Sequence, residues 1–219
     1  MAQALGLAEQ AMYITSPNPR VGCVLVSPQG QCIGQGHTQA AGQAHAEVMA
    51  LQQARENGHD TRGATAYVTL EPCSHHGRTP PCCDALIQAQ LARVVVSLVD
   101  PNPLVAGQGL ARLRAAGIEV DVGEGQERSR EINIGFFKRM QTGLPWVRMK
   151  IAASMDGQTS LTNGVSQWIT GPAARQDGHH WRARACAVLT GVGTVLQDNP
   201  LLNVRDVPTP RQPPLVVVD

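Results

Sequence analysis

The sequence predicts an α/β sandwich with a mostly parallel sheet, followed by the beginning of a second α/β domain. Short apolar, β-branched segments alternate with helix-favouring segments as far as about residue 139. A Gly- and Pro-containing linker at residues 141–145 interrupts this pattern, and a strand–helix–strand pattern then starts again. At 219 residues, the chain has room for one large domain, or for one domain and part of another.

The first domain is predicted element by element from periodicity and turn residues. Apolar residues at helical spacing predict an opening helix over residues 3–13, which Pro17 and Pro19 end. The segment Ser27-Pro-Gln-Gly30 predicts a turn, so the first two strands form an antiparallel hairpin and the sheet is mixed. Strands are predicted at residues 21–26, 31–36, 64–70, 93–99 and 118–122. Further helices are predicted at residues 45–56, 82–90, 109–116 and 124–139.

The second domain is predicted to be incomplete. A strand is expected at residues 146–152, and a helix begins at Pro172, with Thr170 or Gly171 as its cap, and runs to about Arg184. Further strands are expected at residues 187–190 and 215–219. The sequence stops at the last of these strands, without a helix to cover it.

Composition and net charge restrict the possible binding partners and the cellular location of the protein. The net charge of +1 argues against the basic footprint of a nucleic-acid-binding domain. No apolar run approaches the roughly 20 residues that cross a bilayer, and no secretory signal is visible, so a cytoplasmic location is expected. In a reducing compartment, clustered cysteines are more often metal ligands or catalytic groups than disulfides. Cys23 and Cys32 flank the hairpin turn and could face each other, but two small buried free thiols are the favoured interpretation.

The chemistry concentrates in His45-Ala-Glu47 and in the segment from Pro72-Cys73 to Cys82. One imidazole and two thiolates supply three ligands to a tetrahedral zinc, and the fourth position stays open for water, as in catalytic sites. Zinc lowers the pKa of such a water to about 7, and Glu47 is placed to move protons as a general acid and base. His-x-Glu followed by Pro-Cys and a second cysteine is the signature of zinc-dependent nucleobase deaminases.

Two questions about the ligands remain open at the level of sequence. A structural zinc would need a fourth protein ligand, and Cys83 or His75 is available for that role. Cys83 also competes with Cys82 as the third ligand, and Cys82 is favoured because it directly follows Pro81. Both His45 and Cys82 are expected to begin helices, whose N-termini favour thiolates and anions.

Eight residues separate Cys73 from Cys82, where the general deaminase pattern has two. With this loop, Glu71-Pro-Cys-Ser-His-His-Gly-Arg-Thr-Pro-Pro-Cys82 resembles the deaminase domain of the bifunctional riboflavin-biosynthesis deaminase/reductase family. Pro17-Asn-Pro-Arg-Val-Gly-Cys-Val-Leu-Val26 and Gly34-x-Gly-His-Thr38 are similar to that family as well. The resemblance implies a cytidine-deaminase-like three-layer α/β/α sandwich over residues 1–143.

The activity implied by the resemblance is hydrolytic removal of the 2-amino group from 2,5-diamino-6-ribosylamino-4(3H)-pyrimidinone 5′-phosphate. The resemblance places Asn18, His37 and His75 against the pyrimidine or ribose, and Arg78 against the 5′-phosphate. A guanidinium can bind a phosphate bidentately, which supports Arg78 on chemical grounds. For Asn18, which lies between two prolines, a role as a turn residue alone is the less favoured interpretation. Taken alone, His37 or His76 is more often a surface or packing residue, and His76 is left without a role.

Residues 144–219 resemble the start of the family's reductase domain, which is dihydrofolate-reductase-like and uses NADPH to reduce the ribosyl side chain. The motifs are Lys150-Ile-Ala-Ala-Ser-Met-Asp-Gly157, Ser166-Gln-Trp-Ile-Thr170, Arg182-Ala-Arg184, Gly191-Val-Gly-Thr194 and Asp198-Asn-Pro-Leu-Leu-Asn-Val-Arg205. The resemblance implies that the nicotinamide nucleotide binds in a site lined by Ala152, Thr159, Trp168, Thr194 and Asp198. It also implies that the substrate of the reductase is bound by Ser166, Arg182, Leu202 and Arg205.

The family's reductase domain extends beyond residue 219, and its later glycine-rich turn holds the phosphates of the cofactor. We therefore expect deamination from this chain and little or no NADPH-dependent reduction. Trp168, taken alone, is equally a core residue. Family members commonly assemble, so a homo-oligomer is compatible with the resemblance, although the sequence does not give the oligomeric state. Nucleic-acid and membrane partners are not expected.

Two other functions are compatible with the zinc motif. The first is a different zinc deaminase, acting on cytosine, guanine or tRNA adenosine. A tRNA enzyme would carry more basic surface, and a free-base deaminase would not need Arg78. The second is a zinc-stabilised binding protein without activity, in which Glu47 would be dispensable.

Overall fold

The chain divides into two compact units, Met1–Trp146 and Val147–Asp219. The computed structural model describes residues 1–103 and 105–219. The strands of the first unit are β1 (Gly22–Val26), β2 (Cys32–His37), β3 (Thr65–Val68), β4 (Arg93–Val96) and β5 (Glu119–Val122). Its helices are α1 (Ala2–Gln10), α2 (Ala46–Glu56), α3 (Cys82–Gln88), α4 (Gln108–Ala115), α5 (Gln126–Ile132) and α6 (Ile134–Thr142).

The five strands of the first unit form one mixed sheet in the order β2-β1-β3-β4-β5. β1 is antiparallel to both of its neighbours, β2 and β3, whereas β3, β4 and β5 run parallel. Parallel strands need crossover helices, which α3 and α4 supply. The prediction of a mixed sheet with an antiparallel opening hairpin is confirmed.

Helices cover both faces of this sheet. α1 packs on one face through Ala4 and Leu7, against Val24. α2, α3 and α4 pack on the other face, where the main core lies, built largely from Ala, Val, Leu and Ile. The three-layer α/β/α sandwich is therefore the observed architecture, and the scarcity of aromatic residues is matched by a core of small aliphatic side chains.

Two glycines in β2 let α2 lie unusually close to the sheet. A Cβ at Gly34 would lie 2.2 Å from the carbonyl oxygen of Ala50, and a Cβ at Gly36 would lie 2.5 Å from Cβ of Met49. Contacts of this kind are shorter than van der Waals packing allows, so any larger residue would push the helix away. The close approach fixes the position of α2, which carries Glu47 in its first turn.

The segment predicted as one helix over residues 124–139 is two helices, and this prediction was wrong at its centre. α5 ends at Ile132 and α6 begins at Ile134, because Asn133 leaves helical geometry, with φ −112° and ψ 20°. The Asn133 side chain instead pairs with the backbone of Arg20: Arg20 N donates to Oδ1 and Nδ2 donates to Arg20 O, each at 2.8 Å. α6 also continues to Thr142, so the predicted linker begins later than expected.

The second unit contains α7 (Pro172–Arg184), β6 (Val188–Gly191), α8 (Val192–Asp198) and β7 (Leu215–Val218). β6 and β7 form a parallel two-stranded sheet, and Gly171 is the N-cap of α7. The sequence did not predict α8. The strand predicted at residues 146–152 does not form, since within the described unit this segment has no partner strand, and Val147 and Met149 are about four-fifths exposed (80% and 79%).

The helices and the cysteines bear on the expectations about membranes and disulfides. None of the helices in residues 1–103 and 105–219 has the length and apolar character needed to cross a membrane. All six cysteines are free thiols. Cys23 is buried, as expected, but Cys32 is exposed, and the two are not opposite each other, since Cys23 pairs with Gly36 and Cys32 with Val26.

Candidate metal centre and active site

Residues with ligating or acidic side chains converge at one edge of the first sheet. The carboxyl ends of β2, β3 and β4 and the beginning of β1 meet there, because β1 is antiparallel to its two neighbours. In open α/β sheets, sites form outside the carboxyl ends of parallel strands. The segment that follows β2 leads to His45, and the segment that follows β3 leads to Cys73.

Three of the predicted ligands, His45, Cys73 and Cys82, come together at this edge. Nδ1 of His45 lies 3.3 Å from Sγ of Cys82 and 3.7 Å from Sγ of Cys73. All three ligating atoms lie within 4.8 Å of one another. A tetrahedral zinc, with bonds of about 2.0 Å to nitrogen and about 2.3 Å to sulfur, separates such atoms by about 3.5–3.8 Å. The donor set and its spacing therefore fit zinc.

Hydrogen bonds among the three side chains of this cluster shift their pKa values. The Cys82 thiol donates a hydrogen bond to Cys73, which lowers the pKa of Cys73 to about 4, and the same pairing raises the pKa of Cys82. The hydrogen bond to Cys73 also raises the pKa of His45. Metal ligands of this kind must give up their protons, so a divalent cation would take the place of these protons.

Two of the ligands lie at the starts of helices, as the sequence predicts. His45 is the N-cap of α2, and Cys82 is the first residue of α3, after Pro81 as its N-cap. The backbone N–H of Cys82 donates to Sγ of Cys73 at 3.3 Å. A free N–H at a helix start thus stabilises the negative charge of a thiolate.

Glu47 lies beside the three ligands without being one of them. Its side chain is 3% exposed in the first turn of α2. Burial, followed by the charge of nearby Cys73, raises the pKa of Glu47 to about 7. A carboxyl group that titrates near neutral pH can both accept and donate a proton under ordinary conditions.

Neither alternative fourth ligand joins the cluster. Cys83 points away from it, because its Sγ donates to the carbonyl oxygen of Pro72 at 3.2 Å, and burial raises the pKa of its thiol to about 12. His75 is exposed on the loop that follows Cys73. Three protein donors leave a position open for water, as in a catalytic zinc site.

The four predicted substrate residues of the first unit lie on segments that begin or end at the same edge of the sheet. Asn18 is half-buried in the segment before β1, and His37 ends β2, where burial lowers its pKa. His75 and Arg78 lie exposed on the loop between the two cysteine ligands. A Cβ at Gly42 would lie 3.8 Å from Nη1 of Arg78, so this loop lies against the segment that leads to His45.

The residues predicted for the nicotinamide nucleotide are spread over the second unit. Trp168 is 66% exposed and lines a pocket of about 210 Å³ together with Ser166, a predicted substrate residue. Arg175 stacks on the Trp168 ring at 4.5 Å, so this tryptophan is not a core residue. Thr194 and Asp198 lie exposed on α8, whereas Ala152 and Thr159 lie in irregular backbone before α7.

The two predicted substrate arginines of the second unit meet at Asn203. Nη1 of Arg182 donates to the carbonyl oxygen of Asn203 at 2.7 Å, and Nη1 of Arg205 donates to Oδ1 of Asn203 at 3.3 Å. Burial and the charge of Arg205 lower the pKa of Arg182. Leu202, the fourth predicted substrate residue, precedes Asn203 and has a positive φ of 50°. Paired guanidinium groups are a natural site for an anion.

Two buried acids next to the metal centre received no role from the sequence. Glu71 is 4% exposed and Asp100 is 7% exposed. Burial raises the pKa of Asp100 to about 6. Both follow strands at the site edge, and a charged residue at the carboxyl end of a buried parallel strand is the signal that could have identified them.

Two family models match the chain. The cytidine and deoxycytidylate deaminase zinc-binding region matches residues 1–98, and the RibD C-terminal domain matches residues 145–219. The first match contains the three ligands, with Glu47 between two of them. A zinc-binding deaminase region is therefore present in the first unit.

Curated relatives match both units together. The riboflavin biosynthesis protein RibD of Escherichia coli is 56% identical over 94% of this chain and 55% of its own length. That of Aquifex aeolicus is 49% identical over 100% of this chain and 60% of its own length. The chain thus spans little more than half the length of these relatives.

Solved structures show the same relation. RibD of Acinetobacter baumannii superposes with a TM-score of 0.90 at 52% identity, over 99% of this chain and 61% of its own. The diaminohydroxyphosphoribosylaminopyrimidine deaminase/5-amino-6-(5-phosphoribosylamino)uracil reductase of Thermotoga maritima superposes with a TM-score of 0.94 at 41% identity, over 100% of this chain and 62% of its own. With both family models, the curated relatives and the solved structures in agreement, the chain belongs to the RibD family of riboflavin-biosynthesis proteins.

Proposed function

We propose that this chain acts in riboflavin biosynthesis as a zinc-dependent hydrolase that removes the 2-amino group of 2,5-diamino-6-ribosylamino-4(3H)-pyrimidinone 5′-phosphate. The observation that carries the proposal is the convergence of Nδ1 of His45 and the two cysteine sulfurs beside a buried Glu47. The deaminase is assigned to residues 1–143. Family membership supports the choice of substrate, since the relative from Thermotoga maritima bears the name of this deaminase.

In the proposed mechanism, His45, Cys73 and Cys82 hold the zinc. When bound, zinc acts as a Lewis acid that makes a water molecule acidic enough to lose a proton near pH 7. The neighbouring helix starts stabilise the thiolates, as the bond from Cys82 N to Cys73 shows. The ligands are held on separate helices and loops, so the centre is fixed by the fold and not by a single flexible segment.

Glu47 moves the protons of the reaction. One of its carboxylate oxygens takes a proton from the attacking water, and the same group then donates that proton to the amino group that leaves as ammonia. Its pKa of about 7 suits both steps. Water is consumed and ammonia released, so no oxidant or reductant is needed.

Asn18, His37 and His75 are proposed to orient the pyrimidine and ribose, with Arg78 at the 5′-phosphate. These four residues border the edge that holds the metal ligands, which supports the assignment. The loop between the two cysteines supplies His75 and Arg78. Substrate choice is therefore attributed to this loop, and a free-base deaminase would not require it.

Residues 144–219 are proposed to be the N-terminal part of an NADPH-dependent reductase domain. The match to the RibD C-terminal domain and the meeting of Arg182 and Arg205 at Asn203 support this. We further propose a cytoplasmic enzyme that assembles as a homo-oligomer, without nucleic-acid or membrane partners. The six free thiols and the net charge of +1 agree with that setting.

The test is ammonia release from the diaminopyrimidine ribosylamine phosphate, compared with cytosine, guanine and tRNA adenosine as substrates. The zinc-loaded chain should deaminate the first and none of the others. Glu47→Gln should lower kcat by about 10²- to 10⁴-fold while one equivalent of zinc stays bound. Zinc-loaded protein that releases no ammonia would support a zinc-stabilised binding protein instead, and protein that binds no zinc would refute the proposal altogether.

A further inference from the structure

Glu71 is a buried acid whose partners are all backbone groups. It lies two residues before the ligand Cys73 and is 4% exposed. Each of its carboxylate oxygens accepts two N–H groups. The donors are Gly109 N at 2.9 Å and Leu110 N at 3.3 Å on Oε1, and Gly107 N at 2.9 Å and Asp100 N at 3.1 Å on Oε2.

These contacts make Glu71 the cap of a helix that is distant in sequence. Gly107 is the N-cap of α4 and has no side chain to accept the first free N–H groups of that helix. The carboxylate of Glu71 does so from 36 to 39 residues away, and its charge faces the positive end of the helix. Hydrogen bonds to an ionised group are about twice as strong as neutral ones, so this contact ties the segment after β3 firmly to α4.

A second set of contacts holds Pro72, the residue between Glu71 and Cys73. The carbonyl oxygen of Pro72 accepts the Cys83 thiol at 3.2 Å. On the other side of Pro72, Gly109 of α4 packs so closely against the same carbonyl oxygen that a Cβ at Gly109 would lie 2.1 Å from it. Cys83 N also donates to the carbonyl oxygen of Cys73 at 3.2 Å. The backbone of residues 71–73 is thus fixed from α3 and from α4 together.

A direct role of Glu71 in proton transfer does not agree with this geometry. Four N–H groups occupy its two oxygens, and the side chain is buried away from solvent. An acid or base must reach the reacting atoms, and a carboxylate saturated by backbone donors has no lone pair directed at them. The contacts instead act on the chain segment that carries Cys73.

We propose that Glu71 is a positioning residue for the metal centre: by capping α4 it holds Cys73 at bonding distance from a metal shared with His45 and Cys82. The inference rests on the proposed zinc site and extends it to the shell of residues behind the ligands. Groups that orient metal ligands from behind typically change metal affinity or activity by about 10- to 100-fold when they are replaced. Glu71 acts through the backbone, whereas such groups usually act through the ligand side chain.

The test measures zinc binding by the 219-residue chain, without substrate. Glu71→Gln keeps the shape of the side chain but replaces one acceptor oxygen by an NH₂ group that faces N–H donors. We expect its zinc Kd, measured by competition with a chromogenic chelator, to rise by about 10- to 100-fold. The absorption bands of the Co²⁺-substituted variant should also shift from those of the unmodified chain, because the thiolate geometry changes.

Ser129→Ala is the matched control. Its hydroxyl donates to the carbonyl oxygen of Thr69 at 2.5 Å in the buried interior, four residues before Cys73 and on a residue that is not a ligand. This variant should lose thermal stability and keep the unmodified zinc Kd and Co²⁺ spectrum. Equal losses of stability in the two variants, with the Kd and spectrum of Glu71→Gln unchanged, would overturn the inference.

Two further outcomes are distinguishable. If Glu71→Gln does not fold, Glu71→Asp keeps the charge but withdraws the carboxylate by one methylene group from the N–H groups of α4, so its zinc Kd should rise within the same range. An unchanged Kd for Glu71→Asp would then overturn the inference. Failure of the unmodified chain to bind zinc would refute the proposed function, whereas zinc binding that is insensitive to these substitutions would refute only the role of Glu71.

Discussion

Cys82 and Cys83 are neighbours in sequence but have different surroundings. Sγ of Cys82 lies 3.3 Å from Nδ1 of His45, whereas Sγ of Cys83 donates to Pro72 O. The one-residue step around the start of α3 turns the second thiol toward the core. The sequence favoured Cys82 on its position after Pro81, and the geometry supplies a physical reason for that choice.

Cys82→Ser should therefore abolish stoichiometric zinc binding, because a hydroxyl at pH 7 is not a thiolate ligand. Cys83→Ser keeps a donor for Pro72 O and should retain one zinc per chain. Atomic absorption on dialysed protein measures both. Loss of zinc from the Cys83 variant alone would mean that the ligand assignment is reversed.

A second residue-scale prediction concerns the buried His179. Its side chain is 5% exposed, Nε2 lies 3.2 Å from Oδ2 of Asp206, and Nδ1 faces Nη1 of Arg182 and the N–H of Arg205. Burial, followed by the charge of Arg182, lowers its pKa, and the opposing effect of Asp206 does not cancel this. The unfolded chain then binds more protons below the ordinary histidine pKa of about 6.5, so the second unit should lose stability as the pH falls from 7 to 5.

Urea unfolding monitored by tryptophan fluorescence measures this effect, in a Trp146→Phe background so that Trp168 and Trp181 report on the second unit. His179→Gln should flatten the pH dependence. Equal pH profiles for the His179 variant and the unmodified chain would contradict the prediction.

At the scale of elements, the close approach of α2 to β2 sets the position of Glu47. Gly36→Ala would bring a methyl group to 2.5 Å from Cβ of Met49 and 2.7 Å from the carbonyl oxygen of Ala46. Overpacking of this kind costs about 1–3 kcal/mol, and relief requires α2 to move. We expect Gly36→Ala to lower both the free energy of unfolding and kcat.

Gly6→Ala is the matched control, since nothing lies within 4 Å of the added methyl group and the position is inside α1. It should raise stability by about 0.5–1 kcal/mol without changing kcat. Urea denaturation and ammonia release give the two readouts. A Gly36→Ala variant with unchanged stability and turnover would show that α2 is not held by this contact.

Local sequence signals predicted most elements of the first unit, and tertiary contacts explain the exceptions. The apolar segments and turn residues around β1 to β5 are strong signals in themselves. The break at Asn133 could not be predicted, since its cause is the backbone of Arg20, which lies 113 residues away. The strand expected at residues 146–152 has the right composition, but a strand also needs a partner, and local pattern does not supply one.

The ligand residues of the candidate site were predictable because side-chain chemistry and spacing identify them. The supporting residues were not. Glu71 stands inside a motif that the sequence singled out, yet its function depends on N–H groups of residues 107 to 110, which only the fold brings to it. Capping of a helix by a distant carboxylate leaves no local pattern in the sequence.

At the scale of the whole molecule, the two units differ in how much apolar surface they bury. The first unit has a continuous core, whereas all four residues of β7 are exposed by 42–48% and Leu189 of β6 by 69%. The buried residues of the second unit are His179, Ala183, Val204 and Val207, among those described. A two-stranded sheet with both faces accessible is marginally stable by itself.

The whole-molecule prediction follows from this difference. The zinc-loaded chain should release ammonia from the diaminopyrimidine phosphate, yet supplying the deaminated product with NADPH should give little or no loss of absorbance at 340 nm. Isothermal titration with NADPH is the second measurement and should show no saturable binding at micromolar concentrations. Stoichiometric NADPH oxidation coupled to product formation would contradict the prediction.

The pairing of Arg20 with Asn133 also has a consequence for the order in which the chain folds. At synthesis rates of about 5–20 residues per second, the 113 residues between them take roughly 6 to 23 s to be made. The Arg20–Asn133 pair next to the Asn18 segment cannot form before Asn133 has left the ribosome, although both cysteine ligands emerge earlier. The deaminase unit is thus completed late in its own translation. Cys73 and Cys82 lie 60 and 51 residues before Asn133, so these thiols spend about 3 to 12 s in an unfinished fold.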